Sequence, residues 1–210
     1  MNAPRRHLGL AQLARIAVQL PFAVACEGFY FLRHGETDCN VQKVFQPPEQ
    51  PLNARGAGQA QQAARVLRSV PITAIVSSDM ERALQTAAAV SRETNVPARS
   101  HADLRERNFG VLVGTSSEII DWTAAPAGGE SLEQFVLRSH RGLVAAIDHA
   151  RPALVVAHGG TLFVLSALLG MRLGDKYFSN AHPIHFWRRP TGEWQASLLS
   201  GAAAGESAFA

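Results

Sequence analysis

Two histidines and two arginines stand where apolar runs of the chain end. Phe29-Tyr30-Phe31-Leu32 leads into Arg33-His34-Gly35, and Ala153-Leu154-Val155-Val156-Ala157 leads into His158-Gly159-Gly160. A third run, Ala74-Ile75-Val76-Ser77-Ser78, is followed by Arg82. Guanidinium forks pair bidentately with phosphoryl oxygens and stay charged at every relevant pH. A neutral imidazole can attack phosphorus and form a covalent intermediate. The arginines and a second, donating imidazole can then hold the equatorial oxygens of the transition state. Such a reaction also needs a carboxyl group that protonates the leaving alkoxide and later takes a proton from water. Glu106, in a loop segment, is the candidate for that role; Glu36 reads instead as a brace for arginine or backbone groups.

Strands must deliver these groups. Continuous apolar runs that stop at Gly or Ser read as buried strands of a parallel sheet, and open α/β sheets place ligands at the carboxyl ends of their strands. Helices are expected over 57–70, from an Asp79 cap to about 94, from a Ser131/Gln134 capping box to about 149, over 161–169 and over 174–178. A short helical stretch fits 117–122, and a short strand fits 97–104. Residues 38–49 read as loop because Pro47-Pro48 and Pro51 forbid regular structure. Residues 183–188 and 193–199, joined by Pro190-Thr191-Gly192, read as a hairpin at one edge. The expected fold is a three-layer α/β sandwich, with a mainly parallel central sheet, helices on both faces and an antiparallel edge hairpin.

At 210 residues one principal domain is expected, over 28–200, with an N-terminal helical extension over 1–27 and a flexible tail over 201–210. The net charge of +3 does not mark a nucleic-acid binder, because Arg5, Arg6 and Arg15 against Glu27 account for +2 of it and the other arginines are scattered. Cys26 and Cys39 form neither a disulfide framework nor a metal spacing, which favours a reduced, cytoplasmic setting. Arg5-Arg6 before the apolar run 8–22 has the outline of a signal segment. However, Gln12, Arg15 and Gln19 fall on one narrow helical face and Pro21 ends the run. An amphipathic helix docking on the domain or on a partner subunit is the preferred reading, and it raises self-association as an expectation. No run is long enough, without polar interruption, to span a membrane.

The segment Arg33-His34-Gly35-Glu36-Thr37-Asp38-Cys39-Asn40 resembles the signature of the histidine phosphatase superfamily, the phosphoglycerate-mutase-like proteins. Further pieces are similar to that family in the same order: Pro51-Leu52 with Gly56 and Gln59-Ala60, Ser77-Ser78 through Arg82 and Gln85-Thr86-Ala87, Leu104-Arg105-Glu106 with Gly110, Gly129-Glu130-Ser131, and Val156 to Gly160. The resemblance covers about 28–199. It implies His34 as the nucleophile, Glu106 as proton donor and then base, and His158, Arg33 and Arg82 around the phosphoryl group. Asn40 and Gly159 join them as binding residues, with no metal or organic cofactor. The implied partner is a small phosphorylated substrate, with neither nucleic acid nor membrane involved. Three functions fit: a phosphomonoesterase, the leading reading, a phosphoglycerate-type mutase, and a non-catalytic phosphoester-binding module. Departures from the family pattern, at Gln50, at Val111 to Gly114 and at Phe163, leave these groups intact and alter the leaving-group pocket, whose walls are expected from 41–50, 107–128 and 160–163. His182 and His185, three apart on an expected edge strand, face opposite sides and make no metal pair. His7, His101, His140 and His149 read as surface residues, and Trp122, Trp187 and Trp194 as packing.

Overall fold

Alternation along the buried strands sets the architecture. The structure, a computed structural model, describes residues 3–118, 121–148 and 152–200; the expected tail over 201–210 and His149 lie outside these, as does the side chain of His7. In β1 (Gly28–Arg33), Phe29 and Phe31 point into one core cluster while Tyr30 and Leu32 point into another. In β4 (Ala153–Ala157), Val155 and Ala157 join the first cluster and Leu154 and Val156 the second. Side chains two apart share a face, so a strand apolar at every position must be covered twice. The first face is covered by α1 (Ala3–Ala17), α5 (Leu132–Asp148) and α6 (Gly159–Leu168). The second is covered by α3 (Ala54–Leu67) and α4 (Glu81–Thr94). The expected three-layer sandwich is the observed fold.

Six strands form the sheet, in the order β3-β2-β4-β1-β5-β6, with β2 at Ala74–Ser77, β3 at Ala98–Ser100, β5 at Ile184–Arg188 and β6 at Trp194–Leu198. The β3-β2-β4-β1 part is parallel, and β5 and β6 add on antiparallel. β6 is the edge of the hairpin; β5, expected at an edge, is paired on both sides, and His185 stacks on Tyr30 with ring centroids 4.7 Å apart. The helices that follow β1 and β4 leave toward opposite faces, so a crevice opens between these neighbouring strands at their carboxyl ends.

Several boundaries differ from the sequence reading. The loop expected over 38–49 begins with a short helix, α2 (Asp38–Gln42), because Thr37 and Asn40 form a reciprocal capping box before the prolines take effect. Asn53 caps α3 by accepting from Gly56 N at 2.8 Å, so that helix starts three residues early. Asp79 does not cap α4; both its oxygens are taken by Arg105, at 2.6 and 2.7 Å, and the cap position falls to Met80. The strand expected over 97–104 is cut short at Ser100, with a 3-10 turn at Ala102–Leu104. The helix expected over 174–178 is a 3-10 turn at Asp175–Phe178. Residues 117, 118, 121 and 122 lie in turns or irregular chain rather than a helix, and 119 and 120 fall outside the described residues. The Ser131/Gln134 capping box is present, with bonds of 2.8 and 3.1 Å.

The N-terminal helix docks on its own domain. Leu13 and Ala17 of α1 are buried in the first core cluster, while Gln12, Arg15 and Gln19 are exposed as their spacing predicts. His140 of α5 secures the chain after α1 through a 2.8 Å hydrogen bond to the Pro21 carbonyl. Among the described residues no helix is long and apolar enough to cross a membrane.

Gly35 and Gly56 bring the turn after β1 against the first turn of α3, backbone to backbone. A Cβ at Gly56 would overlap the Glu36 carbonyl oxygen, and one at Gly35 would overlap the Gly56 carbonyl. Backbone cannot move aside as a side-chain tip can. Gly56→Ala should therefore cost about 1–3 kcal/mol, read as a lower urea midpoint at an unchanged slope. An unaltered midpoint would show that the turn yields freely.

Candidate active site

The parallel ladder continues past the strand ends and carries the site residues with it. His34 N donates to Ala157 O at 3.0 Å, and Ser78 N donates to Val156 O at 2.9 Å. The ends of β1, β2 and β4 are thus locked side by side, and the imidazoles of His34 and His158 lie 5.1 Å apart between ring centroids. Both rings are buried. The two distant segments therefore converge on one point, as the sequence reading requires.

A backbone carbonyl assigns the ring proton of His34. His34 Nδ1 lies 2.7 Å from the Gly35 carbonyl oxygen, which can only accept, so Nδ1 carries the proton and Nε2 keeps its lone pair. His158 Nε2 lies 2.9 Å from Ser78 Oγ, which also accepts from Met80 N at 3.3 Å. The other ring nitrogen of His158, Nδ1, is buried without a partner. Burial first, then the charges of Arg82 and Arg33, hold the His34 pKa well below the ordinary imidazole value of 6.5. The same holds for His158, through burial, then Arg82, His34 and Arg33.

The guanidinium groups are held from behind. Arg82 is 2% exposed; it donates to Pro47 O at 3.0 Å and contacts Met80 Sδ. Burial pushes its pKa down to about 10, with Glu106 opposing the shift. Arg33 donates to the Phe178 carbonyl and is likewise depressed by burial, with Glu106 again opposing. Glu106 is oriented by two backbone donors, Arg107 N at 3.0 Å and Gly160 N at 2.9 Å. Asn40 Oδ1 accepts from Thr37 N at 3.2 Å and from Asn180 Nδ2 at 3.3 Å. Arg33, His34, Asn40, Arg82, Glu106 and Gly159 all line a single cavity of about 790 Å³, and His158 sits behind its wall against Ser78. Among the described residues, five buried side-chain polar atoms lack a partner, and three of them are Arg33 Nε, Arg82 Nε and His158 Nδ1. Three of these five orphaned atoms thus belong to the arginine and histidine side chains gathered at the ends of β1 and β4 and the start of α4.

Some contributors were not legible beforehand. Ser78 was visible only as part of a quoted motif, and its place behind His158 needs the register of β2 on β4. Asn180, which donates to His34 O at 2.9 Å, carries no sequence signal at all. The expected pocket walls contribute Phe45, Phe109, Trp122 and Phe163, but Leu10 and Leu13 of α1, Phe135 of α5 and Phe178 were not anticipated there. Glu36 does brace other groups, with Asn53 at 3.2 Å and Arg55 at 3.3 Å. Among the described residues no group of three or more acidic, histidine or cysteine side chains is placed to hold a metal ion.

Comparison with known proteins places this geometry. The family profile of the histidine phosphatase superfamily (branch 1) matches residues 29–183. A "Probable phosphoglycerate mutase" of Proteus mirabilis is 37% identical over 163 residues, 68% of this chain and 74% of that protein. An "Agropine synthesis reductase" of Rhizobium rhizogenes is 34% identical over 181 residues, 81% of this chain and 41% of that protein, so the chain spans under half the length of that relative. Among solved structures, a mycobacterial glucosyl-3-phosphoglycerate phosphatase complexed with VO3 superposes with a TM-score of 0.68 at 30% identity, covering 83% of this chain and 99% of the other. The matched range runs from the first residues of β1 through the second histidine to the turn before β5, and over that range this chain is a member of the histidine phosphatase superfamily, branch 1.

Proposed function

We propose that this protein is a metal-independent phosphomonoesterase that works through a phosphohistidine on a small phosphorylated metabolite. The observation that carries the reading is the gathering of His34, Arg33, Arg82 and Glu106 on one cavity, with the rings of His34 and His158 5.1 Å apart. In the first half-reaction His34 Nε2 attacks phosphorus and the bond to the leaving oxygen breaks. Protonated Glu106 gives its proton to that oxygen, so an alcohol departs. The two guanidiniums and His158 meet the oxygens that gain charge. In the second half-reaction the Glu106 carboxylate takes a proton from water as the water oxygen attacks phosphorus. The P–N bond breaks, releasing inorganic phosphate and restoring neutral His34.

The phosphatase neighbour and the mutase relative both belong to this superfamily, and the second supports a rival in which the phosphoryl group passes to another hydroxyl. Phosphoglycerate interconversion that depends on a bisphosphorylated primer would establish that rival. Binding of phosphoesters with no turnover and no phosphohistidine would instead reduce the protein to a binding module.

The phosphatase reading and the burial of the two imidazoles are each open to test. In the presence of chelator the protein should release phosphate from a generic aryl phosphate, and acid-labile phosphohistidine should be trapped on quenching. His34→Ala should remove both signals, and activity surviving that substitution ends the assignment. Because the imidazole pKa values lie well below 6.5, His34 stays neutral as pH falls through the ordinary histidine range, so the acid limb of kcat/KM should not fall at 6.5. The same shift means that the unfolded chain binds protons first below 6.5, so stability should decline as pH drops from that value. A kcat/KM limb centred at 6.5 would contradict the buried, neutral nucleophile. Ser78→Ala should lower kcat by roughly tenfold with little change in KM, since it releases the tautomer of His158 rather than substrate contact. An equal change in KM alone would give Ser78 a binding role instead.

A further inference from the structure

The cavity lining divides chemically. The phosphoryl end has Arg33, Arg82 and His34, whereas much of the remaining wall is carbon: Leu10, Leu13, Phe45, Phe109, Trp122 and Phe163 among others. Phe45 stacks on Phe109 at 4.0 Å between centroids, and Trp122 meets Phe109 edge-on at 5.7 Å, so these rings form one apolar surface. The third lining arginine, Arg107, is not available to a ligand. It is buried, its Nε donates to Glu130 O at 3.0 Å, and its terminal nitrogens donate to Trp122 O, Ala124 O and Glu130 O at 3.0, 2.7 and 2.9 Å. Four of the five guanidinium N–H groups are thereby committed to carbonyls. Among the described lining residues the cations are Arg33, Arg82 and Arg107, and the remaining charged groups, Glu106 and Asp175, are acidic.

The apolar wall depends on a segment outside the family match. The match begins at residue 29, and α1 ends at Ala17, yet Leu10 and Leu13 of α1 line the cavity. Gly9 makes the approach feasible: a Cβ there would overlap Trp122 Cβ, so only glycine lets the α1 backbone lie against the tryptophan of the loop that Arg107 organises. Leu13 is buried against the core, while Leu10 is only partly buried.

From this we infer that α1 is a specificity wall, and that the chamber it completes selects phosphate monoesters whose leaving group is apolar and uncharged. A carboxylate or second phosphate on the leaving group would find no free cation beyond the two that take the phosphoryl group, lose its hydration and meet aromatic carbon. An aryl or branched alkyl group would gain the burial instead. The inference rests on the phosphomonoesterase reading for its substrate class, while α1's place in the wall does not.

The test compares 2-(1-naphthyl)ethyl phosphate with 3-phosphoglycerate, both esters of aliphatic alcohols and opposite in the character of the leaving group. The full-length protein should favour the naphthyl ester in kcat/KM by at least about tenfold. Leu10→Lys places a cation on the wall and should reduce that ratio by about tenfold, lowering the naphthyl term and raising the carboxylate term. Leu10→Ala, which keeps the helix former and adds no charge, should raise KM for the naphthyl ester alone. Calorimetric titration of both esters into the His34→Ala protein reads the same preference without turnover. Preference for 3-phosphoglycerate in kinetics or in titration overturns the inference, as does a ratio unmoved by both Leu10 substitutions. No release of phosphate from either ester, combined with naphthyl-selective binding, overturns the phosphatase reading and leaves the specificity wall standing.

Discussion

Crowding of positive charge in a desolvated space is the constraint on which the rest of the molecule depends. Two guanidiniums and two imidazoles approach one another with little water between them, and each depresses the proton affinity of its neighbours. The arrangement is tolerable for two reasons. The imidazoles are neutral, so only the arginines carry charge, and Glu106 sits close enough to offset part of it. On the proposed reading, an incoming phosphoester would supply further countercharge to the two guanidiniums.

The fold supplies the rigidity that this crowding demands. Repelling groups left on loops would swing apart; here they hang from parallel strands whose hydrogen bonds run on into the site. Behind them, Pro47, Met80, Phe178 and Ser78 each hold one atom of a charged or ionisable side chain, which fixes where these side chains lie. The glycine-to-glycine approach of the β1 turn and α3 sets the direction of His34 in the same way.

Much of this was legible in the amino-acid order because short-range rules govern it. Apolar runs stopping at glycine or serine identified the three strand ends, and the ordered motifs around His34, Arg82, Glu106 and His158 brought the same residues together that the structure does. Local rules failed where a distant partner won. Asp79 reads as a cap until Arg105, far along the chain, takes both its oxygens. Thr37 and Asn40 offered a capping box that the following prolines obscured. The leucines of α1 look like the inner face of any amphipathic helix, and nothing in their spacing says that one of the surfaces they cover is a ligand cavity rather than core. Asn180 acts through a backbone carbonyl well over a hundred residues away, a relation that no periodicity encodes.

The carbonyl-bound Arg107 has one further consequence. Because its guanidinium ties together Trp122, Ala124 and Glu130 beside Glu106, the chamber loop and the Glu106 carboxylate hang from adjacent residues. The two histidines, by contrast, are mounted on the sheet and share no such tether. A substitution in α1 or in the loop that Arg107 ties can therefore reshape the cavity wall while the strand ladder that carries His34 and His158 stays as it is.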